Sequence, residues 1–407
     1  MRDFLPAEKA NRDRVLDLIV DTYRAHGFSE IETPVVEDSS RLNAGLGGDN
    51  EKLAFGVLKR GLGKDDFAAA ETTLDLIDMG LRFDLTVPLA RFYASHRAEL
   101  PSVFRAIQAA PVWRAERPQK GRYRQFVQCD IDVIGEAGII AEVELITATL
   151  DALKKLQLDG CQVRINDRRL LASMLRAFGY EPAEHASVLI TLDKLDKIGE
   201  DGVIAELADK GFETAELTQF FRRPMTMEYL SFGEPDIRRH LPDGVDPEAI
   251  ADLVAIGEAL GDAAGSLRFD PFLVRGMGYY TGTIFEVAHP SVDYSLGGGG
   301  RYDGMIGRFL GTDVPAVGFS LGFERIVELV ELPAESATAT ALVYENIGAA
   351  ELIAIKNDLL ATGMRVRLEK RPKNTRALFE QLVAEGFSQY AYVTAEGLGS
   401  LTPLARG

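Results

Sequence analysis

Apolar positions along the chain switch repeatedly between a helical and an extended period. Val15, Leu18, Ile19 and Thr22 recur at the i, i+3, i+4, i+7 spacing of one buried face, which predicts a helix over 8–25. Gly27 stands where that helix must end. Phe28, Ile31, Val35 and Val36 then read as extended chain, and Pro34 excludes a helix interior. Residues 44–72 are rich in Gly, Lys and Asp and predict loops around a short hairpin. Leu81–Tyr93 starts extended, and Pro88 permits a helix through about His96.

From Val103 to Gly135 the pattern is strand, loop, strand, with arms at 103–113 and 124–134. In the second arm Val127, Cys129, Ile131 and Val133 form a wholly apolar face. Phe126, Gln128, Asp130 and Asp132 share the other face, which therefore looks into a cavity or solvent. Ile139, Val143, Ile146, Leu150 and Leu153 predict an amphipathic helix. After a short strand at 161–165, the stretch to 262 reads as short charged helices, an inserted helical module. Strand patterning returns at Leu267, most clearly over 272–287 and 314–319, and 322–332 reads as a helix. Beyond a small-residue linker at 335–340 the order is strand 341–344, helix 349–361, strand 364–368, helix 374–385, strand 389–394. That alternation predicts a small α/β domain with parallel strands.

A chain of 407 residues with 46% hydrophobic and 26% charged residues suits two or three globular domains. Disordered, collagen-like and disulfide-stapled classes are excluded. The net charge is −17, so contact with a polyanion must rely on local basic patches. Residues 337–407 hold eight Lys or Arg against seven Asp or Glu, which leaves −18 on the rest. Arg365, Arg367, Lys370, Arg371, Lys373 and Arg376 concentrate the charge there. Two cysteines, Cys129 and Cys161, in so long a chain point to a reducing compartment and buried thiols. The start lacks the apolar core of a signal peptide, and no run of about 18 apolar residues occurs. The expectation is a cytoplasmic protein that does not cross a membrane.

The segment Trp113–Phe126 carries most of the chemical information. Arg114, Arg117, Lys120, Arg122 and Arg124 lie within eleven residues, with Pro and Gly to turn the loop. The ordinary fate of such a run is a solvated hairpin. Here it joins two apolar strands in a very acidic chain, and guanidinium forks suit phosphate oxygens. Arg275 sits between Val274 and Gly276 at the end of an apolar run, where it needs a buried partner. Pairing to a core carboxylate would serve equally. The glycines at 297–300 resemble a phosphate cradle, but no Gly-Lys-Ser/Thr follows, so this is not a P-loop. Gly318–Arg325 and Leu81–Pro88, with Asp84 and Thr86 on one face, are weak signals taken singly. Five scattered histidines, without HExxH or CxxC, predict no metal site of the zinc type.

Together these segments resemble class II aminoacyl-tRNA synthetases, and specifically the histidyl-tRNA synthetase family. Gly27–Pro34 matches the first class motif, Arg114-Ala-Glu116 the second, and Gly318–Arg325 the third. Arg117–Phe126 and Leu273–Gly282 match stretches particular to the histidine enzymes. The resemblance implies an α+β fold: a six-stranded-type antiparallel sheet flanked by helices, with an inserted helical module and a small C-terminal α/β domain. The expected boundaries are 1–160 and 265–334 for the catalytic domain, 161–264 for the insert, and 337–407 for a shortened anticodon-binding-like domain ending after its third strand.

By the same resemblance, the chain activates L-histidine with ATP and Mg2+ and transfers it to tRNA(His), as a homodimer built through the first motif. Arg114, Glu116, Arg122 and Arg325 would bind ATP, with Arg114 and Arg275 catalytic at the α-phosphate. Asp84, Thr86 and Gln128 would hold the α-amino group of histidine. Asp132 and Tyr280, beside Tyr279, would hold the imidazole. Gly278 replaces the acidic residue usual before the paired tyrosines, which would loosen their loop. Two other readings stay open. One is a paralogue that activates histidine for a non-tRNA acceptor. The other is a non-catalytic, histidine-sensing regulatory subunit of ATP phosphoribosyltransferase, a family that tends to lose the arginines kept here at 114, 122 and 275.

Overall fold

The computed structural model describes residues 1–42, 53–117, 123–223, 232–275, 278–332 and 338–404. The chain divides into two units, one over 15–330 with Met1, the other over 331–407 with residues 2–14.

Phe104–Trp113 and Gln125–Ile134 pair antiparallel over their whole length, from Phe104 opposite Ile134 to Trp113 opposite Gln125. They begin a run of six antiparallel strands that continues through Ala316–Gly322, Gly297–Arg301, Thr283–Ala288 and Gln162–Asp167. Ser29–Glu30 and Leu267–Phe269 add parallel edges, giving this sheet eight strands among the described residues. On Gln125–Ile134 the apolar face is fully buried at Cys129, Ile131 and Val133. The helix Ile140–Lys155 buries Val143, Ile146 and Leu153, as its spacing predicts. The first helix runs Pro6–Ala25, and Gly27 ends it with φ +86°, a conformation that costs glycine little. Ile77–Leu81 lies between Val36–Asp38 and Phe55–Leu58 in a small antiparallel sheet, so only one strand of the hairpin falls within the 44–72 expected and its partner lies beyond. The helix holding Pro88 in its first turn spans Thr86–His96. Between Arg168 and Leu260 every described element is a helix.

Three sequence expectations need correction. Phe272–Arg275 is not strand; the chain turns at Pro271 and Phe272, where Asn166 Nδ2 donates to the carbonyls of Pro271 and Leu273 at 3.0 and 3.2 Å. The glycine run that resembles a phosphate cradle is instead a strand within the sheet, Gly297–Arg301. The helix after Gly322 is short, Phe323–Val327.

The smaller unit has parallel strands Arg365–Lys370, Ala339–Tyr344 and Gln389–Thr394 in that spatial order. Two further short strands, Gly397–Leu398 and Thr402–Pro403, pair antiparallel to the last, so the sheet goes beyond the three strands expected. Its alternation is clean: Leu342, Val366 and Val393 pack on one face with Leu352, while Ala339 and Ala341 pack on the other with Leu382 and Phe387. Both thiols are buried and neither forms a disulfide. Among the described residues no helix is long and apolar enough to cross a membrane.

Candidate active site

The polar face of Gln125–Ile134 is the floor of a cavity of about 350 Å³ in the larger unit. Strand register explains why there is room. Gln128, Asp130 and Asp132 lie directly opposite Gly322, Ser320 and Gly318 on the next strand. Ser320 and Gly318 face Gly298 and Gly300 on the strand after that. A Cβ at Gly318 would stand 2.1 Å from Asp132 Oδ1, and one at Gly300 would stand 2.9 Å from a ring carbon of Tyr280. The small residues thus seat polar side chains and leave space above them.

Three guanidiniums, those of Arg114, Arg275 and Arg325, line the cavity. Arg114 Nε donates to Phe83 O at 3.0 Å, and its charge sits 4.9 Å from the centroid of the Phe126 ring. Arg325 Nη1 donates to Ser295 O at 2.5 Å and covers Tyr294 at 5.3 Å. Arg275 Nη1 donates to Glu286 Oε2 at 3.0 Å and also bonds Tyr280. Glu116 and Glu324 line the cavity, and Glu324 Oε1 accepts from the Val127 amide at 3.2 Å.

The same cavity is lined by buried carboxyls. Asp84 is 1% exposed; its Oδ1 accepts from the Val87 amide at 3.2 Å, and its Oδ2 has no partner. Burial pushes its pKa up to about 6, opposed by that amide and by Arg114. Asp132 is 4% exposed, which excludes a solvated strand residue, and burial pushes it up to about 7. Tyr302 donates to Asp132 Oδ1 at 2.5 Å and pulls that pKa back, while the Asp84 charge raises it further. Asp130 lies between; burial first, then the Asp132 charge, raise it well above the usual carboxylate range. Gln128 Nε2 donates to both Asp130 oxygens at 3.2–3.3 Å and to Ser320 Oγ at 3.0 Å. Its amide is therefore oriented, and Gln128 Oε1 is left buried without a partner. Tyr279 is buried, with its ring 4.8 Å from Tyr280 and 6.0 Å from Tyr302, and its hydroxyl bonds Thr86. The tyrosines that follow Gly278 are thus packed against neighbours.

Arg114, Arg275, Glu116, Arg325, Asp84, Thr86, Gln128, Asp132, Tyr279 and Tyr280 all line this one cavity. Arg122 lies outside the described residues. Asp130 lines the cavity too, on the face that the period of 2 gives it, although the sequence assigns it no role. Ser320 and Tyr302 are lining residues not singled out in the sequence, and nothing there pairs Tyr302 with a strand 170 residues away.

Buried acceptors and fixed cations lining one cavity suit an amino acid laid against a phosphate ester. The six-strand antiparallel core and its arginine-bearing strand–loop–strand define the fold of class II aminoacyl-tRNA synthetases. The sequence profile described as histidyl-tRNA synthetase matches residues 1–326, and the chain belongs to that family. It is 57% identical to a histidine--tRNA ligase of Leifsonia xyli subsp. xyli, over 97% of this chain and 94% of the relative. It is 42% identical to a probable histidine--tRNA ligase of Tropheryma whipplei, with the same coverage. In structure it resembles the histidyl-tRNA synthetase of Nostoc, with TM-score 0.76 and 24% identity, over 97% of this chain and 90% of that one.

Proposed function

We propose that the cavity joins L-histidine to the α-phosphate of ATP and passes the histidyl group to tRNA(His). The observation that carries the histidine half is the pair of buried, unpartnered acceptors, Asp84 Oδ2 and Gln128 Oε1, lining one cavity. A buried acceptor without a donor is costly, and an ammonium group supplies three donors. Asp132, oriented by Tyr302, takes an imidazole N–H, and Tyr280 serves the ring's other side. Ligands lacking that N–H leave buried groups unpaired and are rejected.

Reaction begins when the histidine carboxylate attacks the α-phosphorus. The new P–O bond forms as the bond to pyrophosphate breaks. Charge grows on the non-bridging oxygens, where Arg114 and Arg275 stabilise it from fixed positions. Arg325, with Arg122, holds the outer phosphates, and Glu116 serves the adenine side. In the second step a terminal ribose hydroxyl of tRNA attacks the histidyl carbonyl and AMP leaves. Among the described residues no three metal-ligating side chains cluster, so Mg2+ fits here only with ATP phosphates as ligands. Glu324 would offer a carboxylate to complete its shell, and the ion would offset phosphate charge.

The same reading takes 337–407 as an anticodon-binding domain and 161–264 as an insert within a catalytic domain of 1–160 and 265–334. It also implies a cytoplasmic homodimer. A non-tRNA acceptor and a histidine-sensing regulatory role are not favoured, given the 57% identity to a histidine--tRNA ligase over nearly the whole chain. Charging assays with purified tRNA test this. Labelled histidine should become acid-precipitable with tRNA(His) in the presence of ATP. Exchange of pyrophosphate into ATP without any charging would overturn the tRNA assignment.

A further inference from the structure

Sheet register places Asp130, Ser320, Gly298, Glu286 and Arg164 in one row across five adjacent strands. Glu286 closes the cavity end of that row, and its carboxylate is divided between two arginines. Its Oε2 accepts from Arg275 Nη1 at 3.0 Å, and its Oε1 accepts from Arg164 Nη1 at 3.2 Å. Arg164 does not line the cavity. It is anchored from behind: its Nε donates to Asp270 Oδ2 at 2.7 Å, and Nη1 also donates to Asp196 Oδ2 at 2.8 Å. Asp196 belongs to the helix Leu195–Asp209 within the helical stretch.

We propose that Arg164 is a positioning residue for Arg275, acting through the shared carboxylate of Glu286, and that Asp196 ties the helical segment into this link. This rests on the reading of Arg275 as the phosphate-facing arginine. The logic is one of competition for lone pairs. A carboxylate presents two oxygens, and an arginine alone with it tends to take both in a bidentate fork. Arg164 occupies Oε1, so Arg275 is held through Oε2 alone. Without Arg164, the Arg275 guanidinium rotates to take both oxygens and leaves the position from which it meets phosphate. Three carboxylates, those of Asp196, Asp270 and Glu286, also lose the cation between them, and their repulsion moves Glu286.

Histidine-dependent pyrophosphate exchange on the full-length protein tests this with Arg164→Gln, Arg164→Lys and each combined with Arg275→Ala. A displacement of about 1 Å can cost on the order of 100-fold, so Arg164→Gln should lower kcat by at least about tenfold. The KM for histidine should change far less than kcat, because Arg164 bonds Asp270, Asp196 and Glu286 and none of Asp84, Gln128 and Asp132. Arg164→Lys keeps a cation at Oε1 but not the fork, and should fall between wild type and Arg164→Gln; it also serves if Arg164→Gln does not fold. In the Arg275→Ala background neither Arg164 change should cost anything further. Multiplicative losses there, or a wild-type kcat in both single variants, would overturn the proposal. Wild-type exchange by Arg275→Ala alone would instead overturn the reading it rests on.

Discussion

Arg275 lies across Gly298 so closely that a Cβ at position 298 would stand 2.5 Å from its Nη1. The same Cβ would stand 2.7 Å from the Phe285 carbonyl oxygen, so the backbone cannot simply yield. Gly298→Ala should therefore move the guanidinium and slow adenylate formation by about 100-fold. Steady-state pyrophosphate exchange measures it, and an alanine variant with wild-type kcat would show that Arg275 does not depend on this seat.

Tyr302 and Asp132 make a second separable contact. Tyr302→Phe removes the donor at 2.5 Å and with it an influence that keeps the Asp132 pKa down. A hydrogen bond to a charged group contributes about 1.5–3 kcal/mol, so the KM for histidine should rise roughly 10- to 100-fold. The KM for ATP should not change. A rise in both constants would point to a general loss of packing.

The fold was legible wherever one face of an element is apolar. The helix 140–155 and the strand 125–134 followed from the period of their apolar positions, Ile139 to Leu153 and Val127 to Val133. The glycine strand was not legible as strand. Glycine weakens strands in isolation, and only close approach by Arg275, Tyr280 and Gly318 makes it suitable there. Arg275 was placed at a strand end for the opposite reason: its apolar neighbours Phe272–Val274 are buried by tertiary packing outside any strand. In the cavity, the residues carried by family motifs share one lining with Asp130, which the strand period already put on that face, whereas Tyr302 gains its meaning from Asp132, 170 residues away in sequence.

Apparent stability should depend on pH through the cavity floor. Asp84 and Asp132 titrate at about 6 and about 7 in the folded chain. Unfolded aspartates titrate near 3.9, so between those values the folded chain binds more protons and stability falls as pH rises. Asp132→Asn removes one such group. Its Tm relative to wild type, measured by calorimetry without ligands, should become more favourable from roughly pH 4 to pH 8. A constant difference across that range would mean that Asp132 is not a raised, buried acid.

Dimerisation can be tested at the small sheet. Val36 on that sheet and Val35 just before it are 36% and 39% exposed, and Val57 and Leu58 on the same sheet are 40% and 54% exposed. A two-fold partner would cover them. Sedimentation should give twice the chain mass, and Val35→Glu with Val36→Glu should shift it toward monomer. Monomer alone in the unmodified protein at micromolar concentration would exclude the dimer.

The division of labour within the cavity is open to a single comparison: histidine-dependent exchange of pyrophosphate into ATP by wild type, Asp132→Ala and Arg275→Ala. Asp132→Ala should raise the KM for histidine and leave that for ATP unchanged, since the lost contact is to the ring. Arg275→Ala should keep both KM values near wild type and lose about 100- to 1,000-fold in kcat. Wild-type kcat in Arg275→Ala together with a wild-type histidine KM in Asp132→Ala would contradict the assignment of this cavity as the site of histidine activation.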